Sequence, residues 1–262
     1  MQPSPVQVDI ETRPQGSIAR VAIANERKLN TLNSALMTRF VDEMERLQAI
    51  ADLRAVVLTG EGTRSFIGGA DITEMANLDP LSARAFITRV HACCHVIRAV
   101  QAPVIARIQG FTFGAGLEIA AACDMRVAAE PARFGMPEVR LGIPSVVEAA
   151  LLPMLIGWGR TRRLLLLGET ISAAEAESWG LVEKVVPADA LDQTVDAWID
   201  ILLEAGPRAI QLQKMLIRQW EDLPIRAAVQ AGVDAFAEAW RTDEPRAAMR
   251  SFLEAQAARK RK

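Results

Sequence analysis

The sequence predicts an α/β fold that is followed by an all-helical C-terminal segment. Three apolar runs with the length of buried strands are each followed by a loop and then by a helical pattern, an alternation typical of α/β proteins. From Asp189 onward, amphipathic helical patterns continue to the end of the chain. The strand-like runs are residues 55–59, 104–108 and 125–129, and the helical patterns after them cover residues 82–100, 118–123 and the stretch after Pro144.

The chain begins with the pattern of a β-hairpin. Residues 6–11 and 18–24 have the composition of short strands, and Pro14-Gln15-Gly16 between them is a turn signal. We expect this hairpin at the edge of a sheet. A helix is then predicted to begin near Asn33, because apolar residues after it recur on one face at near-helical spacing. These apolar residues are Leu36, Phe40, Met44 and Leu47.

Composition and charge exclude several classes of protein. Half of the 262 residues are apolar, and 30 basic side chains stand against 32 acidic ones. The net charge of −2 argues against a broad nucleic-acid-binding surface, and no apolar run approaches the length that spans a bilayer. The N-terminal stretch lacks the apolar core of a signal peptide. We therefore expect a cytoplasmic protein whose three cysteines are reduced.

A glycine-rich turn between a strand and a helix is the first candidate for a functional site. Gly114 and Gly116 permit backbone dihedrals that other residues resist, so the turn can present the N–H of Ala115 beside the positive end of the helix dipole. Glu118 lies about one helical turn further on, and Glu138 follows a loop that can return it to the same place. Two carboxyls and an amide donor are the groups needed to protonate and hydrate a polarised double bond.

A second turn of the same kind covers residues 66–75. It follows the apolar run 55–59 and passes through two glycines into a helix start. Asp71 and Glu74 have the D-x-x-E spacing of a capped helix N-terminus. That spacing places the N–H of Ala70 just outside the helix, where it can donate elsewhere. The sequence thus contains two candidate amide donors.

The cluster His91-Ala92-Cys93-Cys94-His95 has the composition of a metal site, but it lies inside a predicted helix. No second Cys/His cluster is present to complete a tetrahedral site, so we expect no metal. These are also the only two histidines in the chain. A Ser-His-Asp hydrolase would need one of them as its base, and the G-x-S-x-G motif that accompanies such a site is absent.

The two turns together resemble the signatures of the crotonase superfamily, the enoyl-CoA hydratases and isomerases. One match is F-x-x-G-A-D-I-x-E-M at residues 66–75. The other is G-x-x-x-G-x-G-x-E-I-A-x-x-C-D at residues 110–124, followed by F-G-x-P-E at residues 134–138. The resemblance spans nearly the whole chain. It implies a spiral of ββα repeats with a C-terminal helical region.

The resemblance also implies a role for each matching position. The N–H groups of Ala70 and Ala115 would form an oxyanion hole for the thioester oxygen, although the family usually has glycine at the second position. Glu118 would hold and activate the water that attacks C3, and Glu138 would give the proton to C2. The positions implied to contact the CoA thioester are Lys28, Leu29, Gly68, Ala70, Asp71, Ile72 and Gly114, with Lys28 as a phosphate contact.

By the same resemblance, residues 1–188 are a core with the CoA-thioester site and residues 189–262 a helical trimerisation region. The expected assembly is a homotrimer or a dimer of trimers. The expected substrate is an acyl-CoA, and coenzyme A enters with it, so no separate cofactor is expected. The implied activity is that of an enoyl-CoA hydratase. An enoyl-CoA isomerase or another crotonase-type acyl-CoA enzyme is the alternative, and the pair of glutamates argues against a binding homologue without activity.

Residues 142–149, Gly-Ile-Pro-Ser-Val-Val-Glu-Ala, depart from the Pro-Gly-Ala-Gly-Gly-Thr often found in the family. If Val146, Val147 and Glu148 wall the acyl pocket, the preferred acyl chain should be short or distinctively shaped. In the alternative interpretation this segment turns away from the ligand and affects packing alone. For Glu148 itself we favour a surface residue or a partner of Arg140.

Overall fold

A computed structural model describes residues 4–259 of the chain. These residues form two compact units, residues 4–198 and 199–259, and each unit is described by itself. The sequence analysis places a boundary at residues 188/189, between the region with the CoA-thioester site and the trimerisation region. That functional boundary stays a prediction. The outermost residues of the two expected segments, 1–3 and 260–262, lie outside the described residues.

Strands and helices alternate through the first unit, as the sequence predicts. The strands of the described residues are numbered along the chain as β1 (Val6–Arg13), β2 (Gly16–Ile23), β3 (Leu53–Gly60), β4 (Ser65–Ile67), β5 (Val104–Ile108), β6 (Phe111–Phe113), β7 (Met125–Ala129), β8 (Arg133–Gly135), β9 (Thr170–Ser172) and β10 (Lys184–Val186). The helices of this unit are α1 (Ser34–Leu47), α2 (Ile72–Met75), α3 (Pro80–Ala99), α4 (Ala115–Ala122), α5 (Leu152–Leu167) and α6 (Ala173–Trp179), and α7 (Leu191–Glu204) contains the boundary between the units.

The larger sheet has the strand order β1-β2-β3-β5-β7-β10. The expected hairpin is confirmed, since β1 pairs antiparallel with β2, with Val6 opposite Ile23, and β1 forms an edge of the sheet. The other neighbours pair in parallel. β3 and β5 are buried along almost their whole length. That burial on both faces explains why they are continuous apolar runs without the alternation of a half-exposed strand.

The smaller sheet, in the order β4-β6-β8-β9, positions the candidate site. Its first three strands pair in parallel, and β9 is antiparallel to β8. Each of the three parallel strands has three residues. Because parallel strands end at the same edge of a sheet, the segments that follow them are brought together. These segments begin at residues 68, 114 and 136.

Local capping explains where several helices begin. Asn33 caps α1 by accepting a hydrogen bond from the N–H of Leu36 (2.8 Å), which confirms the predicted start. The apolar face of α1 that the spacing predicted is buried. Asp79 and Ser82 form a capping box at the start of α3, and Ser172 with Glu175 forms another at the start of α6.

The Cys/His cluster lies on α3, as the helical interpretation expects. Cys93, Cys94 and Cys123 are buried in the core and form no disulfide with one another. Burial raises the pKa of Cys93 to about 12, so this thiol is unreactive at neutral pH. These cysteines therefore act as small apolar core residues.

The second unit consists of the end of α7 and the helices α8 (Pro207–Asp222), α9 (Ile225–Ala239) and α10 (Glu244–Arg259). α8 and α9 pack together, and the Trp220 side chain donates from Nε1 to the carbonyl of Ala228 (3.1 Å). Within the part of the chain that the structure describes, no helix combines the length and the hydropathy needed to cross a membrane. Apolar side chains stay exposed on α9 and α10, namely Ile225, Val229, Val233, Phe236, Met249, Phe252 and Leu253.

Candidate active site

A cavity of about 420 Å³ opens where the segments after β4, β6 and β8 meet α2 and α3. Four of the residues singled out in the sequence line it: Ala70, Ala115, Glu118 and Glu138. The rest of its wall is mostly apolar and comes from α2, α3 and the loop after residue 142. Those apolar residues are Met75, Leu78, Ala83, Phe86, Ile87, Val90, Ile143, Pro144 and Val146.

The turn after β4 leaves the amide of Ala70 unengaged. Leu32 bridges this turn on both sides, since its N–H donates to the carbonyl of Gly69 (2.9 Å) and its carbonyl accepts from the N–H of Asp71 (2.8 Å). The Ala70 amide between them donates to no other group in residues 4–259. A backbone N–H that lines a cavity without an acceptor is available to a ligand oxygen.

The turn after β6 presents a second amide of the same kind. Gly114 has φ +51° and ψ −122°, a conformation that favours glycine, and its N–H donates to the carbonyl of Gly135 (3.0 Å). α4 then begins at Ala115, whose amide belongs to the first turn and has no acceptor within the described chain. A Cβ on Gly116 would lie 2.0 Å from the carbonyl oxygen of Ile67, so glycine permits α4 to pack on β4. The alanine at position 115 is accommodated as a helical residue.

Glu118 is buried on α4, with 3% of its surface exposed. Its Oε1 accepts a hydrogen bond from the N–H of Ala149 (3.3 Å). The pKa of Glu118 is raised to about 8, mainly by burial and then by the negative charge of Glu138, with the amide of Ala149 acting in the opposite direction. Glu118 is therefore mostly protonated at neutral pH in the unliganded protein.

Glu138 lies on a 3-10 helix, Pro137–Leu141, that follows β8. Its Oε2 accepts a hydrogen bond from the hydroxyl of Ser145 (2.8 Å). A Cβ on Gly114 would lie 2.4 Å from its Oε1, so the carboxyl sits directly against the glycine turn. The loop return that the sequence suggested thus brings Glu138 to the turn and to the cavity.

The polar loop before α1 lies beside the Ala70 turn. Lys28 is exposed and its Nζ donates to Asp71 (2.8 Å), whose pKa is lowered first by this hydrogen bond. The carbonyl of Leu29 accepts from the N–H of Gly68 (2.8 Å). Ile72 is exposed at the start of α2. Of the residues expected to contact CoA, Lys28, Leu29, Gly68, Asp71 and Ile72 therefore lie at this loop or at the Ala70 turn beside it, whereas Gly114 lies in the turn after β6. These six residues do not line the cavity itself.

Of the expected capping pair at α2, Asp71 is confirmed and Glu74 is not. Asp71 caps the helix by accepting from the N–H of Thr73 (2.9 Å). Glu74 does not complete a capping box, because the N–H of Asp71 is already bonded to Leu32. Glu74 instead accepts from the N–H (2.9 Å) and the hydroxyl of Ser34 at the start of α1. It thus ties α2 to α1.

The expectations for the segment 142–149 need correction. Val146 lines the cavity, but Val147 and Glu148 do not. Glu148 is neither exposed nor paired with Arg140: it is buried and its Oε1 lies 2.8 Å from Nδ1 of His91 on α3. Arg140 donates to the carbonyl of Leu167 instead. The pairing could not be read from the sequence because His91 and Glu148 are 57 residues apart.

Two kinds of site residue carried no signal in the sequence. Phe86, Ile87 and Val90 line the cavity from α3, but in sequence they have the same spacing as a helix face that packs on the core. Ser145 is identifiable as a partner of Glu138 only once the loop is folded. Arg84 is the single cationic residue among the described residues that line the cavity.

An apolar cavity with two unengaged amides and two carboxyls in its wall is typical of an enzyme that acts on an acyl group. The sequence model of the family described as enoyl-CoA hydratase/isomerase matches residues 13–260. A short-chain-enoyl-CoA hydratase of Clostridium acetobutylicum is 34% identical over 92% of each chain. A crotonyl-CoA hydratase of Syntrophomonas wolfei is 34% identical over 90% of this chain and 92% of its own.

A solved structure of an enoyl-CoA hydratase from Bacillus anthracis superposes with a TM-score of 0.90 over 96% of both chains, at 30% identity. The chain belongs to the enoyl-CoA hydratase/isomerase family. This membership confirms the resemblance drawn from the two turn motifs, and the structural likeness confirms the α/β fold of the crotonase type.

Proposed function

We propose that this chain is an enoyl-CoA hydratase that adds water across the 2,3 double bond of an enoyl-CoA thioester. Family membership and the names of its relatives support the activity expected from the sequence. The observation that carries the proposed site is that Ala70, Ala115, Glu118 and Glu138 line one cavity. The two amides would stabilise charge that develops on the thioester oxygen, and removal of one such donor typically costs about 3 kcal/mol of transition-state stabilisation.

The two carboxyls together would hold the single proton that hydration requires. One ionised carboxyl takes a proton from water, and one protonated carboxyl gives a proton to C2. The resemblance assigns water activation to Glu118 and proton donation to Glu138. The raised pKa of Glu118 makes it the resting position of the proton in the unliganded protein. In these roles the proton passes from Glu118 to Glu138 before it is given to C2, which leaves Glu118 ionised to accept a proton from water.

The rate of hydration should therefore fall at alkaline pH. As the pH rises through about 8, Glu118 loses the proton that the reaction requires. We expect kcat/KM for crotonyl-CoA to decrease by about tenfold per pH unit above that point, reversibly. In Glu138→Gln the residual activity should decline from a lower pH, because the charge that helps raise the pKa of Glu118 is gone. A flat profile between pH 7 and 10 would contradict the assignment.

An isomerase is the second candidate, because a single carboxyl at the Glu138 position can shuttle a proton between two carbons. Glu118 favours hydration, since its buried carboxyl lies beside Glu138 in the same cavity. Loss of the absorbance of the conjugated thioester when crotonyl-CoA is added separates the two activities. A hydratase removes the conjugated double bond, whereas an enzyme that only isomerises keeps most of the absorbance, because the conjugated 2-enoyl isomer is more stable than the 3-enoyl isomer.

The apolar wall of the cavity supports a short acyl chain as the preferred substrate. Val146, which belongs to the segment that departs from the Pro-Gly-Ala-Gly-Gly-Thr often found in the family, lines the cavity together with Ile143 and Pro144. We expect kcat/KM to fall gradually as the acyl chain lengthens, because one methylene in an apolar pocket is worth about 1–3 kcal/mol. The measurement is a series of trans-2-enoyl-CoA substrates with four to about sixteen carbons. A flat or rising profile would mean that this loop does not limit the pocket.

Coenzyme A would be held by the loop that carries Lys28 and Leu29. Lys28 is exposed beside the Ala70 turn, and its ammonium can contact a phosphate once it exchanges its bond to Asp71. Coenzyme A is then part of the substrate rather than a separate cofactor. The cytoplasmic location and the absence of a nucleic-acid partner stay predictions.

We also expect a trimer or a dimer of trimers in solution. The exposed apolar side chains Ile225, Val229 and Val233 follow one another every four residues along α9, and Phe236 extends the row. A row of this kind is typical of an interface rather than of a surface in water. Light scattering at micromolar concentration should give a mass of three or six chains. A monomer mass under these conditions would overturn the expectation.

A further inference from the structure

The segment 146–149 combines a strained backbone with a buried acidic side chain. Val147 has φ +38°, a left-handed conformation that is costly for a β-branched residue. Such a conformation persists only where surrounding contacts hold it. The adjacent Glu148 supplies such a contact, because its side chain is 10% exposed and its Oε1 lies 2.8 Å from Nδ1 of His91.

The same segment holds the carboxyl of Glu118. The N–H of Ala149 donates to Glu118 Oε1 (3.3 Å) and also to the carbonyl of Val146 (2.9 Å). The backbone of Val146 lowers the pKa of the same carboxyl. These two backbone groups stand on either side of Val147 and Glu148. A displacement of the turn would therefore move both relative to Glu118 at once.

Glu148 does not itself face the reacting groups. It is absent from the described residues that line the cavity, and its Oε2 is buried without a hydrogen-bond partner in residues 4–259. The ionisable groups that feel its charge are Cys93 and Cys94 on α3 and Glu118 on α4, since the charge raises the pKa of each, after burial as the main cause. A buried carboxyl beside two thiols and a second carboxyl is destabilising unless it is hydrogen bonded, as Glu148 is to His91.

We propose that Glu148 is a positioning residue, anchored by His91, that holds the strained 146–149 turn so that its backbone orients the carboxyl of Glu118. The inference rests on the proposed function, in which Glu118 is one of the two proton-carrying carboxyls. His91 reaches Glu148 from α3 with half of its side chain exposed to solvent. The hydrogen bond between them therefore links α3 to the turn.

The test compares two substitutions at the same position. Glu148→Gln keeps the size of the side chain and an oxygen that can accept from His91, whereas Glu148→Ala removes the link. We expect Glu148→Ala to lower kcat for crotonyl-CoA by about tenfold to a hundredfold, since small misplacements of catalytic groups have effects of this size. KM should stay within about threefold, because the cavity wall is intact, and Glu148→Gln should restore kcat to within about threefold of wild type.

A second variant keeps the inference testable if Glu148→Ala does not fold. His91→Ala removes the anchor at the more exposed end, and it should lower kcat in the same selective way, to a smaller extent. Wild-type kcat in Glu148→Ala or, if that variant does not fold, in His91→Ala would overturn the inference, as would equal loss of kcat in Glu148→Gln and Glu148→Ala. The wild-type rate itself tests the proposed function, so failure of that function is distinguished from failure of the positioning role.

Discussion

Glu118→Gln and Glu138→Gln are each expected to reduce hydration of crotonyl-CoA by about 10² to 10⁴-fold in kcat. The amide keeps the size of the side chain and can still hydrogen bond, but it cannot exchange the proton that the reaction moves. Acyl-CoA affinity should remain within a few-fold, because the amides of Ala70 and Ala115 and the CoA loop are unchanged. Steady-state rates and the binding of a non-reactive acyl-CoA measure the two effects separately.

Glu130→Gln is the matched control, because this glutamate is exposed in the turn after β7, outside the cavity lining. It should hydrate crotonyl-CoA at the wild-type rate. If Glu118→Gln or Glu138→Gln does the same, that residue has been misassigned.

Thermal unfolding gives an independent check on Glu118. The pKa of this group is raised from 4.5 to about 8 by folding, so its favourable contribution is present at pH below 4.5 and is lost as the pH rises through 8. Glutamine never ionises. Glu118→Gln should therefore gain stability relative to wild type at pH 9, by at most about 1.4 kcal/mol per unit of pKa shift, and should gain less at pH 6.

Gly114→Ala is expected to lower kcat by about a hundredfold. The added Cβ would lie 2.4 Å from Oε1 of Glu138, and the backbone at φ +51° and ψ −122° favours glycine. Either the Glu138 carboxyl moves away from the turn or the turn moves, and with it the amide of Ala115. The variant should therefore affect both the proton transfer and the stabilisation of the thioester oxygen.

Gly142→Ala is the control for a positive φ without a steric clash. Gly142 also has a positive φ, +77°, but a Cβ at this position has nothing within 4 Å. Gly142→Ala should lose about 1 kcal/mol of stability, because φ +77° and ψ +18° lie in the left-handed region. Gly114→Ala should lose more, because ψ −122° lies outside that region. Equal rates in Gly114→Ala and Gly142→Ala would show that contact with Glu138 has no part in the effect.

The parts of the fold that could be predicted are those whose signal is local. β3 and β5 are continuous apolar runs because they are buried on both faces, and Asn33 marks the start of α1 because a cap acts within three residues. The two turns of the site were predictable for the same reason. Their glycines, the helix starts after them and Glu118 lie within short stretches of sequence.

The parts that could not be predicted depend on partners far apart in the chain. Glu74 has the spacing of a capping residue but bonds to Ser34, 40 positions earlier. Glutamate is mostly found at the surface. Glu148 is buried instead, beside His91, which lies on α3 and 57 residues away in sequence. In the apolar wall, Phe86 and Val90 could not be assigned to cavity or core, since either environment requires the same helical spacing.

The three parallel strands of the smaller sheet divide the site into three segments that protein engineering can change one at a time. β4 ends in the segment with the Ala70 amide, β6 in the one with the Ala115 amide and Glu118, and β8 in the one with Glu138. The paired residues of these strands lie outside the three segments. A library randomised only over residues 136–141 should therefore keep both amides while it replaces the groups that transfer protons to the bound acyl group. This segment is a suitable target for directed evolution of a different reaction.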